Sequence, residues 1–523
     1  MARPDPHSVF DDAQPRLRHL DWRARLDFAA RVIEAEARLT FAGGDSASSD
    51  IDLDARDLTI ERVTDDDGAA LDFELAAPRP FLGQRLRVRG ARGEVRIRYR
   101  TSPAAVALKW LNQSVYTQCQ PIYARTIVPL PDSPASRISF RAEVTAPTGV
   151  TTLMAAREIG RTAAGGDTTA VFELVKPIPP YLLALAAGDY SARELSPRSR
   201  VWATPEYADA AARRLRGVSR LLVEAERIFG AYPWERFDLL VAPVSFPYGG
   251  MENPSLAFLS PTLLDDEEGL TSVVAHELAH AWSGNLVSAA SAEHFWLNEA
   301  FTVWAERKIL AAVAGEAVAR AHAERGRRDL ERALPAFAQL PERTRLQLSL
   351  DGVDPDEALS IVPYEKGYLM LQALEQSLGR DPFAAFVRAY VERFADRSIT
   401  TADFAAFAGE RAPEFAFDNW LNQSGLPAEV PPAPAAVYSP EEPTVPLERA
   451  ALEPLVAVGR IKLLRPIYAA LAARSDGREL AAQLYRRYRD GYHPIARQQL
   501  ERLLRDHGVA TQEVNPLGLG RRT

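Results

Sequence analysis

From about Leu20 to Tyr190 apolar and polar residues alternate, as in Leu86-Arg87-Val88-Arg89 and Val95-Arg96-Ile97-Arg98-Tyr99, with Gly, Pro and Asp clusters between the runs. A period of two with such punctuation predicts strands that bury one face, hence an all-β region. The interleaved arginines fit either a polyanion-binding surface or the outward faces of half-buried strands, and the second picture needs nothing beyond the alternation. Beyond Ser191 the pattern changes. Ala210 to Gly230 reads as helix, Phe237 to Val241 as a short strand, and helices dominate to about Gln423. The segment Pro427-Ala428-Glu429-Val430-Pro431-Pro432-Ala433-Pro434 cannot continue a helix and predicts an extended linker. Helical spacing returns from about Pro446 to His507, with Leu480, Leu484 and Tyr488, then Leu500, Leu503 and Leu504, broken at Gly477 and at Gly491-Tyr492-His493-Pro494. The expected organisation is a multidomain α+β chain: a β domain over 1–190, a mixed domain over 191–426, a linker over 427–445 and a small helical domain over 446–523.

The length of 523 residues exceeds what one core ordinarily serves, in keeping with several domains. An apolar fraction of 47% and a charged fraction of 25% describe a soluble globular protein. A formal charge of -8 argues against a general nucleic-acid surface while leaving local basic patches possible, so no nucleic-acid partner is expected. With Cys119 as its single cysteine the chain forms no internal disulfide, which fits a reducing compartment. The first twenty residues lack a seven-residue apolar core, and no stretch reaches eighteen uninterrupted apolar residues. A cytoplasmic monomer with no membrane partner is the expectation.

Chemistry concentrates at His276-Glu277-Leu278-Ala279-His280, followed after eighteen residues by Glu299. Ser272-Val273-Val274-Ala275 opens the segment and Gly284 closes it, so the pentad is expected within one helix, where positions i and i+4 share a face. Both imidazoles then reach one metal. Glu299 completes a His-His-Glu set with an open fourth position, the pattern of a catalytic zinc, and Glu277 is placed to act as base on water without being a ligand. Upstream stands Phe246-Pro247-Tyr248-Gly249-Gly250-Met251-Glu252-Asn253-Pro254. Its paired glycines permit close approach of backbone to a ligand, and Glu252 would suit a free amine. Alone it is a turn with a charge; beside a metal that polarises a carbonyl it suggests selection of a peptide by its N-terminus.

Together, Gly249-Gly250-Met251-Glu252-Asn253 and the His-Glu-x-x-His, eighteen residues, Glu pattern resemble the zinc aminopeptidases of the aminopeptidase N type. Thr117-Gln118-Cys119-Gln120, His294-Phe295-Trp296-Leu297-Asn298-Glu299, Val362-Pro363-Tyr364-Glu365-Lys366-Gly367 and Gly459-Arg460-Ile461-Lys462 are similar to blocks of its leukotriene hydrolase/aminopeptidase branch. The resemblance covers roughly residues 15 to 510 with one large gap. It implies an N-terminal β-saddle, a thermolysin-like catalytic domain, a C-terminal helical domain, one Zn2+ per chain and short peptides as substrates. By carry-over, His276, His280 and Glu299 hold the metal, Glu277 is general base then acid, and Tyr364 donates to the oxyanion. Glu252, with Gln120, would hold the α-amino group, with Gly249, Gly250 and Met251 along the substrate. Asp356 would meet a basic first side chain, against its reading as a turn in Val353-Asp354-Pro355-Asp356. Arg460 and Lys462 would bind the carboxylate of a short peptide, against their reading as a solvated helix face. Glu293 and Asn298 are candidates to support the ligands or to act as local caps.

The chain departs from the branch in three places. Leu359 stands where the lipid-epoxide hydrolases carry a tyrosine, and leucine neither donates nor accepts a proton. Ala300 replaces a glycine after the ligand glutamate. Between Gln423 and Arg460 much helical sequence is missing, so the helical domain is expected to be reduced. The expected activity is removal of N-terminal residues from short peptides; the alternatives are an endopeptidase, a lipid-epoxide hydrolase and a non-catalytic scaffold. An endopeptidase has no use for Glu252 as an ammonium clamp, and a scaffold would not need an intact base and ligand set.

Overall fold

The computed structural model describes residues 5–11, 13–42, 49–431, 452–453, 456–457 and 461–511. The alternating N-terminal part folds into three sheets. The largest orders its strands Arg157–Ala164, Asp167–Ile178, Ile138–Pro147, Leu17–Asp27, Val32–Phe41, Glu94–Arg100 and Thr59–Thr64. In the strand Glu94–Arg100, Val95, Ile97 and Tyr99 are buried while Arg98 and Arg100 face solvent, as the period of two requires. The outward arginines are balanced by acids: Arg87 lies 2.7 Å from Asp52, Arg38 2.6 Å from Glu94 and Arg98 3.2 Å from Glu61. That mixed lattice favours the half-buried strand reading over a polyanion surface.

Buried polar groups knot this part together. Trp22 donates to Tyr99 Oη at 2.9 Å, which donates to the Ile127 carbonyl at 2.7 Å. Arg125 has no exposed surface; its Nε meets Asp132 at 3.0 Å and its Nη1 lies 3.6 Å from Asp54. Asp54 also accepts from Ser8, so one guanidinium ties the first described residues to the strand Ser49–Ala55.

From Ser191 onward the strands join a different sheet, ordered Ser191–Ser196, Ser199–Ala203, Asp238–Val241, Leu256–Leu259 and, at its edge, Gly250–Met251. The helix expected over 210–230 is two, α1 (Pro205–Arg214) and α2 (Val218–Phe229). Gly217, a poor helix former, lies in the turn between them. Helix α3 (Glu267–Ala279) starts five residues before Ser272, because Asp266 caps it by accepting from the Gly269 N–H. Helix α4 (Trp296–Ala314) is buried on nearly every face, between α3, α5 (Glu316–Ala333) and α6 (Val362–Leu378). A Cβ on Gly367 of α6 would lie 2.6 Å from the Ala300 Cβ, so the methyl that Ala300 introduces is accommodated by a glycine opposite.

One continuous hydrophobic core runs from Leu17 to Leu421, and a separate one serves the helices Ile461–Ala472, Arg478–Tyr488 and Pro494–Asp506. This helical module docks through Ile495, which is buried in the first core, and through polar and ring contacts: Lys109 Nζ donates to the carbonyls of Asp490 and Tyr492 at 3.0 and 2.7 Å, His493 stacks on Tyr116, and Arg502 pairs with Asp354. Most of the expected Pro-rich linker, from residue 432 on, lies outside the described residues. The whole is a multidomain α+β fold with a β-rich N-terminal part, a central catalytic part and C-terminal helices.

Replacing Arg125 by Met would leave two buried carboxylates facing each other. The expected cost is about 3–5 kcal/mol, read as a lowered midpoint in urea unfolding; an unchanged midpoint would contradict the knot assigned to Arg125.

Candidate active site

Helices α3 and α4 build the centre. His276 Nε2 and His280 Nε2 lie 3.1 Å apart, and Glu299 Oε2 lies 3.4 and 3.6 Å from them. His280 is the cap residue that follows α3 rather than part of its body, yet its N–H still bonds back to the His276 carbonyl at 3.2 Å, so the i, i+4 geometry survives. Gly284 ends the turn with φ +121°, and a Cβ there would lie 2.8 Å from His280 Nδ1. Glycine is required to wrap the chain beneath the ring.

The far ring nitrogens are engaged. His276 Nδ1 lies 3.1 Å from Glu306, and His280 Nδ1 lies 2.7 Å from the Ser283 carbonyl and 3.1 Å from Thr302 Oγ1. Carboxylate and carbonyl only accept, so each Nδ1 carries the proton and each Nε2 turns a lone pair inward. Glu299 Oε2 is buried with no hydrogen-bond partner. Two imidazole lone pairs and an orphaned carboxylate oxygen converging on one point fit a tetrahedral zinc with one open position.

Electrostatics agree. Burial opposes a charge on His276, but the adjacent carboxylates of Glu299 and Glu306 and the nearby Glu277 outweigh it and raise its pKa well above the ordinary value. His280 is pushed down to about 4 by burial. The field that makes His276 hold a proton would equally stabilise a divalent cation, which must displace that proton.

Glu277 lies on α3 beneath the edge strand Gly250–Met251, where a Cβ on Gly250 would come within 2.2 Å of its Oε1. Gly249 is committed through its carbonyl to the Ser260 N–H at 2.9 Å, and Met251 is buried with its sulfur against Gln118, so its side chain packs inward. Glu252 follows, 5% exposed, with Gln120 Nε2 at 3.2 Å from its carboxylate and Asn285 holding its backbone carbonyl at 2.7 Å. Burial first, then Glu277 and Glu299, raise its pKa well above the usual carboxylate range. Tyr364 enters from α6, stacked on His276 with ring centres 6.2 Å apart. Burial and the neighbouring carboxylates raise its pKa, which keeps the phenol protonated as a donor.

Asp356 accepts from Tyr123 Oη at 2.9 Å while its other oxygen is buried without a partner. Burial, then Asp354, pushes it up to about 6. Tyr248, whose buried hydroxyl also lacks a hydrogen-bond partner, senses both Asp356 and Glu252 and so connects the two. Arg460 lies outside the described residues, as does the side chain of Lys462, whose backbone belongs to the helix Ile461–Ala472. Glu293 accepts from the Leu350 N–H and Asn298 bridges the Ala289 N–H and Tyr181, so both tie distant segments of the chain together. Sequence reasoning missed Glu306 and Thr302, which orient the ligand rings. Glu306 had a signal: it follows Glu299 by seven residues, two helical turns along one face.

Such a site, on such a fold, defines a zinc-dependent peptidase. Residues 215–421 match the Peptidase family M1 domain and residues 442–504 the Leukotriene A4 hydrolase, C-terminal domain. Leukotriene A-4 hydrolase from Xenopus laevis is 34% identical over 82% of this chain and 74% of its own. Aminopeptidase B from Homo sapiens is 40% identical over 61% of this chain, a match that spans 50% of its own length. Among solved structures, yeast LTA4 hydrolase in complex with Bestatin superposes with a TM-score of 0.84 at 27% identity, covering 96% of this chain and 97% of that one. The M1 zinc metallopeptidase from Deinococcus radiodurans shares the fold, with a TM-score of 0.62 at 23% identity over 81% of this chain and 96% of that one. The chain belongs to peptidase family M1, a zinc-dependent hydrolase acting on peptides.

Gly250→Ala would push Glu277 aside without touching a metal ligand. Zinc content by mass spectrometry should stay at the parent level while kcat on a peptide substrate falls roughly 100-fold; undiminished kcat would refute the close approach.

Proposed function

We propose that the protein is an aminopeptidase that removes the first residue from short peptides, and the observation that carries this is the buried Glu252 beside the ligand set. A carboxylate so placed needs a cation, and a substrate α-ammonium supplies one at a fixed distance from the bond to be cut. Gln120 orients it. Bound zinc supplies Lewis acidity toward the scissile carbonyl and makes water a nucleophile near neutral pH. Glu277 takes the proton from the attacking water and returns it to the leaving amine. Tyr364 donates to the oxyanion without changing the charge of the site. At the sheet's edge the half-buried Gly250, with the buried Gly249 before it, is assigned to the backbone of an extended peptide.

Asp356 is assigned to a basic first side chain, since its second oxygen has no partner within the protein. Arg460 and Lys462 are assigned to the carboxylate of a short peptide on the resemblance alone. The domain limits at 190, 426 and 446, the monomeric state and the cytoplasmic location belong to the same proposal; among the described residues no helix is long and apolar enough to cross a membrane. Lipid-epoxide hydrolysis is the second reading, drawn from the leukotriene hydrolase relative, and Leu359 speaks against it. It lines a small cavity with Gln120, Phe295 and Asn298 and brings no group that moves a proton.

The test is hydrolysis of Arg, Ala, Leu and Asp arylamides with N-acetylated controls, by parent and Glu252→Ala. Acetylation should abolish cleavage by the parent, and Glu252→Ala should lose about 100-fold in kcat/KM on free-amine substrates. Equal cleavage of acetylated substrates would exclude an aminopeptidase.

A pH dependence follows from Asp356. Its carboxyl, raised to about 6, is neutral below that value and charged above it. Preference for Arg over Leu arylamide should therefore be full above pH 7 and shrink as pH falls through about 6. A constant ratio would remove Asp356 from the first-residue pocket.

A further inference from the structure

Behind His276 the polar contacts continue past Glu306. While Glu306 Oε2 lies 3.1 Å from His276 Nδ1, its Oε1 accepts from the Ser272 hydroxyl. Ser272 Oγ is also 3.4 Å from His322 Nδ1, and His322 Nε2 is 2.9 Å from Glu268 Oε1. The chain of contacts starts at a ligand, crosses from α3 to α4 and back, passes to α5 and ends on Glu268, whose side chain is 52% exposed. Ser272 and His276 are one turn apart on α3, and Glu299 and Glu306 two turns apart on α4. Each helix therefore presents a metal ligand and a link on the same stripe.

Proton counting gives the chain a direction. Ligation uses the His276 Nε2 lone pair, so Nδ1 donates to Glu306. The single Ser272 hydrogen goes to the other Glu306 oxygen, which leaves Ser272 able only to accept from His322. Glu268 also only accepts. With His322 Nδ1 donating to Ser272, the Ser272 hydrogen stays on Glu306, which then receives hydrogen bonds on both oxygens and is restrained from rotating away from His276. Arg325, 3.9 Å from Glu268, is the other charged group at the outer end.

We infer that His322, acting through Ser272, is a positioning residue for the Glu306–His276 pair and sets how firmly the His276 arm holds zinc. A carboxylate fixed against the far nitrogen orients a ligating imidazole and raises its basicity, an influence worth roughly 10–100-fold in metal affinity. The competing description is a plain staple: the His322–Glu268 pair fastens α5 to α3 and has no bearing on the metal. That description predicts lower stability with unchanged zinc release.

The two separate in the holoenzyme. Zinc transfer to an excess chromogenic chelator is timed for the parent, Ser272→Ala, His322→Phe, His322→Gln and Glu268→Gln, alongside thermal midpoints and the visible spectra of the Co2+-loaded proteins. Ser272→Ala and His322→Phe should release zinc about 10-fold faster with shifted cobalt bands and an unchanged KM. His322→Gln, which keeps an N–H donor, should recover most of the difference, and Glu268→Gln should fall between. Release within twofold of the parent and superimposable cobalt spectra in Ser272→Ala would overturn the inference, whatever the thermal midpoints. Ser272→Ala deletes one oxygen from a helix, so it carries the test even where His322→Phe does not fold.

Discussion

Glu252, Glu277, Glu299 and Glu306 are buried close together, and a group of carboxylates out of water is tolerated only when positive charge joins it. Without metal, His276 answers by holding a proton that burial alone would expel. With zinc in the His276, His280 and Glu299 set, a divalent charge would replace that proton, and on the proposed reading a substrate ammonium at Glu252 would supply the rest. The close glycines at 250, 284 and 367, the tight α4–α6 packing and the engaged Nδ1 atoms all hold this charge cluster at contact distance. Metal binding and the roles proposed for Glu252 and Glu277 thus answer one electrostatic demand.

How the demand is met differs between the two ends of the substrate. The end proposed for the ammonium, at Glu252, rests on the edge strand Gly250–Met251, Gln120 from the β-rich part and Asn285 from the turn after α3. The end proposed for the first side chain touches the C-terminal helices, where Gln498 lies 3.4 Å from Tyr123 Oη and Arg502 pairs with Asp354 near Asp356. Since Arg502 pairs with Asp354, Asp356 is left as the acid proposed to meet a basic side chain. Among the described residues, the C-terminal helices therefore border the pocket proposed for the first side chain.

Much of this was legible in one dimension because the chemistry is local. His276, Glu277 and His280 lie within five residues and need only helical periodicity to converge; strands with a buried face write themselves as alternation, which the Val95-Ile97-Tyr99 stripe obeys. What the sequence hid is tertiary. The division of 210–230 into α1 and α2 depends on how the chain turns at Leu215 and Gly217, and propensity alone reads through it. Ala300 reads as a departure until Gly367, on a helix well downstream, is placed opposite it. Glu306 is conspicuous only once α4 is known to face α3 throughout its length, and its extension to His322 needs α5 as well. Tyr123 and Tyr248, which surround Asp356, read as ordinary core aromatics until their hydroxyls are placed.

The central claim is that the buried charge cluster holds one zinc between His276, His280 and Glu299. A neighbouring set, Glu252, Glu277 and His280, also brings three possible ligand atoms together, so the claim has a concrete rival. Anomalous diffraction recorded above and below the zinc edge, on crystals of zinc-loaded protein, decides between them. The account predicts a single peak within about 2.0–2.2 Å of both Nε2 atoms and a Glu299 oxygen, with Glu252 and Glu277 outside bonding distance. A peak bonded to Glu252 and Glu277, or none after loading, would contradict it.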